Sequence, residues 1–193
     1  MIIAEQLKHK NLAEYLLYLW QVEDLIRAYK ANISDISSHY IERINGVSPE
    51  RKEAMQRWYQ MQIDIMKAEG VMLKGHTPAS LNVLKSLENA QHALELPPSP
   101  DIYDTTYKQA LPLIVELRAM RRAKQETAVT LTSSHSQASE DSEVATALEL
   151  VYGVRLLMMK GKPISPETQD AMSTLLKWLY LLSDKALSQG QTV

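Results

Sequence analysis

The sequence contains no cysteine and no phenylalanine. The absence of cysteine excludes disulfides, thiol catalysis and thiolate metal sites. Without phenylalanine, the rings available to a hydrophobic core are those of nine tyrosines and three tryptophans. The hydroxyl and indole N–H groups of these rings need hydrogen-bond partners when they are buried. We therefore expect several polar ring atoms to find partners inside the protein.

An excess of charge of one sign is also absent. The 21 basic and 23 acidic residues give a formal net charge of −2, which provides no general attraction to nucleic acids or anionic membranes. One basic run is Arg118, Arg121, Arg122 and Lys124. Cations are favoured near a helix C-terminus, and the run is typical of a solvated helix face. We expect no nucleic-acid partner.

Long hydrophobic runs are missing too. The longest uninterrupted apolar run is Tyr15–Trp20, far shorter than the ~20 residues of a membrane span. The first ten residues lack the basic region and apolar core of a signal peptide. These features predict a cytoplasmic protein without membrane association. The length of 193 residues suits one domain, and the proportions of hydrophobic (45%) and charged (23%) residues are those of a globular protein.

Helical periodicity dominates the sequence, and no stretch alternates as a β-strand would. We predict an all-α, single-domain bundle of six or seven mostly antiparallel helices that spans residues 1–193. Pro112 is expected to kink or break the fifth helix, and the Ser- and Thr-rich segment 130–142 is predicted to be a flexible loop. The predicted helices cover approximately residues 11–30, 34–44, 49–70, 78–96, 101–127, 143–160 and 166–188.

The first of these helices carries charges within its own apolar face. At about 100° per residue, Glu23 falls near the middle of that face, with Asp24 next to it in the chain and Arg27 one turn later. An unpaired buried charge costs several kcal/mol, so these groups need partners. Arg118 and Arg155 lie on apolar faces of later helices and are the candidates. The apolar residues around Glu23 are Leu12, Leu16, Leu19, Val22 and Ile26.

Two interpretations of these charges remain open. In the first, Glu23, Asp24, Arg27, Arg118 and Arg155 form a structural ion network that determines which helices meet. In the second, Glu23 and Asp24 face a pocket with the arginines and bind a cation or a small molecule, or act as a base with a raised pKa. Structural networks perturb charges as readily as active sites do, and we favour the first interpretation.

A second polar group is Glu88, His92 and Glu95, spaced at i, i+4 and i+7. These residues could supply three ligands to a metal ion. The spacing departs from the Glu-x-x-His motif of carboxylate di-iron bundles, and the three residues lie opposite the apolar face of their helix. The simpler interpretation is a solvated face, so we expect no metal and no cofactor.

The first helix also carries a resemblance, in the runs Ala13–Tyr18 and Trp20–Arg27. It resembles the opening signature of a small uncharacterised family of bacterial all-helical proteins, classed as a domain of unknown function. Two later stretches, Tyr107–Arg118 and Tyr152–Thr168, fit the same family. The resemblance implies one helical domain in a bacterial cytoplasm and brings no activity with it.

Function therefore stays a choice between two classes of protein. The first is a non-enzymatic helical module that assembles with itself or with another protein. The alternative is a small-molecule or cation-binding protein, possibly an enzyme, with a charged site built around Glu23, Asp24, Arg27 and Arg118. A concave pocket lined by these four residues would distinguish the second class from the first.

Overall fold

A computed structural model describes residues 2–127 and 142–190. These residues form eight α-helices and one short π-helical turn, with no β-strand among them. The all-α prediction is confirmed, with eight helices rather than six or seven. The elements are α1 (Ile2–Lys10), α2 (Leu12–Ala28), α3 (Ile33–Ile36), the π-helical turn (Ser37–Ile41), α4 (Pro49–Ala68), α5 (Pro78–Glu95), α6 (Asp101–Thr127), α7 (Glu143–Met159) and α8 (Pro166–Ser188).

The additional helix results from a break at Asn11. Its extended backbone, with φ −159°, separates α1 from α2. The Asn11 side chain accepts a hydrogen bond of 3.0 Å from the backbone N–H of Glu14, so Asn11 is the N-cap of α2. The predicted second helix is also divided, because α3 gives way to the π-helical turn at Ser37.

Other predicted boundaries agree closely with the structure. Thr77 caps α5 and Ser165 caps α8, and in each case proline occupies the first helical position. Helix α6 continues through Pro112, so the chain does not break there. Residues 130–141 of the predicted flexible loop lie outside the described residues, and Ser142 is the N-cap of α7.

The buried apolar residues form two cores that share helix α2. In the larger core, the N-terminal half of α2 packs with α5, α6, α7 and α8. In the smaller core, Val22 and Ile26 of α2 pack with α3, the π-helical turn and α4. Helix α2 therefore runs from one core into the other, and Glu23 lies where the two meet.

A few large apolar side chains remain on the surface. Leu73, between α4 and α5, is 90% exposed. Three consecutive residues at the end of α7, Leu157, Met158 and Met159, are 45%, 51% and 59% exposed. No helix in the described part of the chain is both long enough and apolar enough to span a membrane.

Candidate functional site

The Glu23 carboxylate is enclosed at the N-terminus of α5, with only 2% of the residue exposed. One oxygen, Oε2, lies 2.7 Å from Nδ1 of His76. The other, Oε1, accepts hydrogen bonds from the backbone N–H of Thr77 at 2.9 Å, from the Thr77 hydroxyl at 2.8 Å and from the Ser80 hydroxyl at 2.8 Å. Both carboxylate oxygens are therefore engaged by the protein itself.

Two opposing effects determine the ionisation of Glu23. Burial raises the pKa of its carboxyl group, but hydrogen bonding and charge from His76, with the Thr77 amide and the Ser80 hydroxyl, outweigh burial and leave the pKa below its ordinary value. The N-terminal end of a helix also favours an anion, because its backbone N–H groups point outward and carry partial positive charge. Glu23 is thus held as a carboxylate.

An aromatic ring supports the histidine of this pair. The His76 ring is stacked on Trp20, with the ring centroids 4.9 Å apart and the planes at 21°. Trp20 in turn meets the edge of Tyr152 at 5.7 Å. The His76 side chain is in contact with Trp20 and Glu23 of α2 and is only 12% exposed.

Asp24 and Arg27 form a second group beside Glu23. Nη1 of Arg27 lies 3.1 Å from Oδ1 of Asp24, and Nη2 donates to the carbonyl of Val71 at 3.0 Å and to the carbonyl of Gly75. The Tyr152 hydroxyl donates to Oδ2 of Asp24 at 2.7 Å. Burial, together with this bond to an anion, raises the pKa of Tyr152, which stays a neutral donor.

The two remaining predicted arginines lie elsewhere. Arg155 of α7 makes a bidentate pair with Glu14 of α2, at 2.7 and 2.6 Å, and the Tyr180 hydroxyl adds a third bond to that carboxylate at 2.7 Å. The bond from Arg155 is the largest effect on the pKa of Glu14, which lies below its ordinary value. Arg118 of α6 bonds the Thr146 hydroxyl of α7 at 3.4 Å.

The predicted set therefore comes together only in part. Glu23, Asp24 and Arg27 adjoin each other on α2, whereas Arg118 and Arg155 are engaged by α7 and α2 at other positions. We expected one of these two arginines to neutralise Glu23, and the structure places His76 there instead. Neither arginine is needed at Glu23, because the donors at the start of α5 already surround its carboxylate as one group.

Four partners of these charges were not predicted from the sequence: His76, Thr77, Ser80 and Tyr152. A signal was present for the first three, since Thr77 and Pro78 mark the start of a helix, and such a start concentrates N–H donors. Nothing local indicated that this helix start would lie against Glu23, more than 50 residues earlier in the chain. Nor did any local pattern connect Tyr152 with Asp24.

A surface cleft of about 370 Å³ lies between α5, α6 and the start of α7. Glu143 accepts hydrogen bonds there from the Gln91 amide at 2.9 Å and from the Tyr107 hydroxyl at 2.8 Å. Within the described part of the chain, no group of three or more His, Asp or Glu side chains is arranged to hold a metal ion. The lining residues include the predicted polar face: Glu88, Gln91, His92, Glu95, Tyr107, Ser142 and Glu143.

Comparison with protein families identifies a family for nearly the whole chain. The family model described as "Domain of unknown function (DUF4924)" matches residues 1–191, which is nearly the whole chain. The chain has no significant match among curated proteins and none among solved structures. The family resemblance read from the first helix is confirmed.

Proposed function

We propose that this chain, which belongs to that family, is a non-enzymatic helical module that binds a protein surface through Leu73. The observation that carries the proposal is the 90% exposure of this leucine, midway between two backbone carbonyls that Arg27 binds. We name residues 71–77 the display segment. Its partner is either a second copy of the chain or another protein with an apolar pocket.

The backbone of the display segment is held by the two charged groups of α2. Arg27 binds the carbonyls of Val71 and Gly75, which lie two residues before and two residues after Leu73. Glu23 binds the backbone N–H of Thr77 at the end of the segment. Ordering a loop on binding costs conformational entropy, and a segment already fixed avoids much of that cost.

A second exposed apolar surface lies at the end of α7. Leu157, Met158 and Met159 follow one another around the last helical turn, so they extend over more than one face of the helix. Met159 is held near α2, where its sulfur lies 3.9 Å from the Gln21 amide nitrogen. Contiguous exposed apolar residues mark interaction sites more often than single ones do, and methionine adapts its shape to a partner.

The competing function is a ligand or cation site built around Glu23, Asp24, Arg27 and Arg118. The geometry gives it less support. Both oxygens of Glu23 are used within the protein, and Arg118 bonds Thr146 on α7 rather than joining the group on α2. We therefore assign Glu23 and Arg27 a structural role, which is to position the display segment.

Sedimentation velocity across a wide range of concentration tests self-assembly. We expect the wild-type chain to associate, and Leu73→Gln to weaken association roughly tenfold, as loss of a central apolar contact does. Leu96→Gln is the matched control, because Leu96 is also a largely exposed leucine (68%) and lies outside both surfaces. Equal weakening by the two substitutions would contradict the proposal.

A chain that stays monomeric at every concentration would remove self-assembly and leave only a different partner. A photo-crosslinking amino acid at position 73, in cells that express the protein from its own locus, tests that case. We expect one discrete adduct from position 73 and none from position 96. If position 73 gives no adduct, or the same products as position 96, Leu73 is not a contact residue.

A further inference from the structure

Six of the buried apolar residues of the smaller core lie in a part of the fold that we name the α4 lobe, residues 33–68, and the other two lie on α2. Helix α4 has α2, α3 and the π-helical turn as its main neighbours in the described structure. Helices α5, α6 and α7 instead pack around α8, and we name this part the main bundle. The α4 lobe therefore contacts the rest of the protein chiefly through the C-terminal half of α2.

The two parts also differ in the size of their cores. Among the described residues, the smaller core holds eight buried apolar residues and the larger core 25. Local opening takes place most readily where few apolar contacts are buried. The α4 lobe should therefore open at a lower free energy than the main bundle.

Residues 69–77 connect α4 to α5, and we name this segment the return. Two contacts tie the return to α2. Arg27 binds the carbonyls of Val71 and Gly75. Glu23 binds His76 at 2.7 Å and the Thr77 amide at 2.9 Å. The Arg27 contact holds Val71, three residues after the end of α4, so the lobe cannot move far from α2 without pulling on this contact. The Glu23 contact holds the other end of the return on α2, at the start of α5.

We propose that Glu23 and Arg27 form a latch that fixes the α4 lobe against the main bundle, and that the lobe opens as a unit when the latch is broken. The Arg27 contact holds the first part of the return, next to α4. The Glu23 contact holds its last part, at the start of α5. This inference does not depend on what Leu73 binds, because it concerns only the motion of the lobe.

The experiment measures two distances between spin labels. Because the chain has no native cysteine, labels can be placed at single introduced cysteines. Gln56→Cys on α4 with Lys177→Cys on α8 reports the lobe against the main bundle. Asn89→Cys on α5 with Lys177→Cys reports the main bundle alone; the three positions are exposed.

The latch variant is Glu23→Gln combined with Arg27→Met. We expect it to broaden or shift the lobe distance and to leave the main-bundle distance narrow. Arg155→Met is the matched control, because it removes an ion pair between α2 and α7 away from the latch. Two results in the latch variant would overturn the proposal: an unchanged lobe distance, or equal broadening of both distances. Broadening of the lobe distance by Arg155→Met would overturn it as well.

Hydrogen exchange of the wild-type chain and of the single variant Arg27→Met, both without spin labels, gives a second test. It does not require the double variant to fold. In the wild-type chain, we expect α4 amides to exchange through local openings that cost less free energy than global unfolding. We expect Arg27→Met to speed the exchange of these amides about tenfold, because it removes hydrogen bonds from a charged donor. Amides of α8 should keep their wild-type rates. If α4 and α8 exchange through the same opening in both proteins, the lobe is not a separate unit.

Discussion

Replacement of Glu23 by alanine should lower the free energy of unfolding by about 3–5 kcal/mol, the cost of removing one partner from a buried ion pair. The carboxylate accepts hydrogen bonds from four donor groups and is almost fully enclosed. The substitution leaves each of these donors without its acceptor.

The size of this loss in unfolding free energy depends on which of the four donors can find another acceptor. The hydroxyls of Thr77 and Ser80 are 3.3 Å apart and can turn toward each other. The Thr77 backbone N–H and the His76 ring nitrogen cannot turn in this way. Each buried donor without an acceptor costs about 1–3 kcal/mol, so two of them account for roughly 2–6 kcal/mol, which brackets the expected loss.

Chemical denaturation followed by circular dichroism measures this loss. The control is Glu14→Ala, which also removes a paired carboxylate from α2, but one whose side chain is 21% exposed and partly solvated. We expect this control to cost less than Glu23→Ala, because Arg155 and Tyr180 are partly exposed and water can replace the carboxylate as their acceptor. If Glu23→Ala cost no more than Glu14→Ala, the carboxylate would not be a central contact of α5, and the latch would lose its main support.

Two further predictions concern the same network. Because the pKa of Glu23 lies below its ordinary value of 4.5, its contribution to stability is complete above that value and is lost as the pH falls through the lower folded-state pKa. Acid titration of the unfolding free energy should therefore show a steeper loss for the wild-type chain than for Glu23→Gln, and parallel curves would contradict this assignment. Tyr152→Phe removes the hydrogen bond to Asp24 and should cost about 1–2 kcal/mol in chemical denaturation, and an unchanged unfolding free energy would show that this bond does not stabilise the fold.

Much of the fold could be predicted from local patterns. Helical periodicity and the Ser/Thr-Pro starts predict α4, α5 and α8 to within a few residues, because caps and prolines act on the backbone next to them. The break at Asn11 was harder to predict. A capping residue inside a helical pattern fits either a continuous helix or two helices, and the backbone chooses between them only through packing.

Only the residues that α2 contributes to the candidate site could be predicted from the sequence. The position of Glu23 in an apolar face predicts burial and the need for a partner. It does not identify that partner, since any cation or donor group on another helix would serve. Arg155 shows the same limit. Its place in an apolar face predicted partial burial, but did not show that its partner would be Glu14 rather than Glu23, which lies on the same helix.

The absence of phenylalanine had a consequence that the structure makes visible. The hydroxyls of Tyr107, Tyr152 and Tyr180 each donate to a carboxylate at 2.7–2.8 Å. Each of these bonds joins two different helices. The polar ring atoms that the composition required thus contribute specific contacts between helices in addition to apolar area.

In α2 a carboxylate, Glu23, stands between the two cores, at a position where a leucine would fit the apolar face. Well-packed apolar residues often stabilise a protein as much as a buried ion pair does, so stability alone does not account for Glu23. An apolar contact tolerates sliding, whereas Oε1 of Glu23 accepts three hydrogen bonds from Thr77, the N-cap of α5, and from Ser80 in its first turn. These bonds fix where α5 begins relative to α2, and Arg27 fixes the segment that leads to it. We therefore propose that the charges of α2 set the position of one core against the other, which apolar packing on either side would leave less defined.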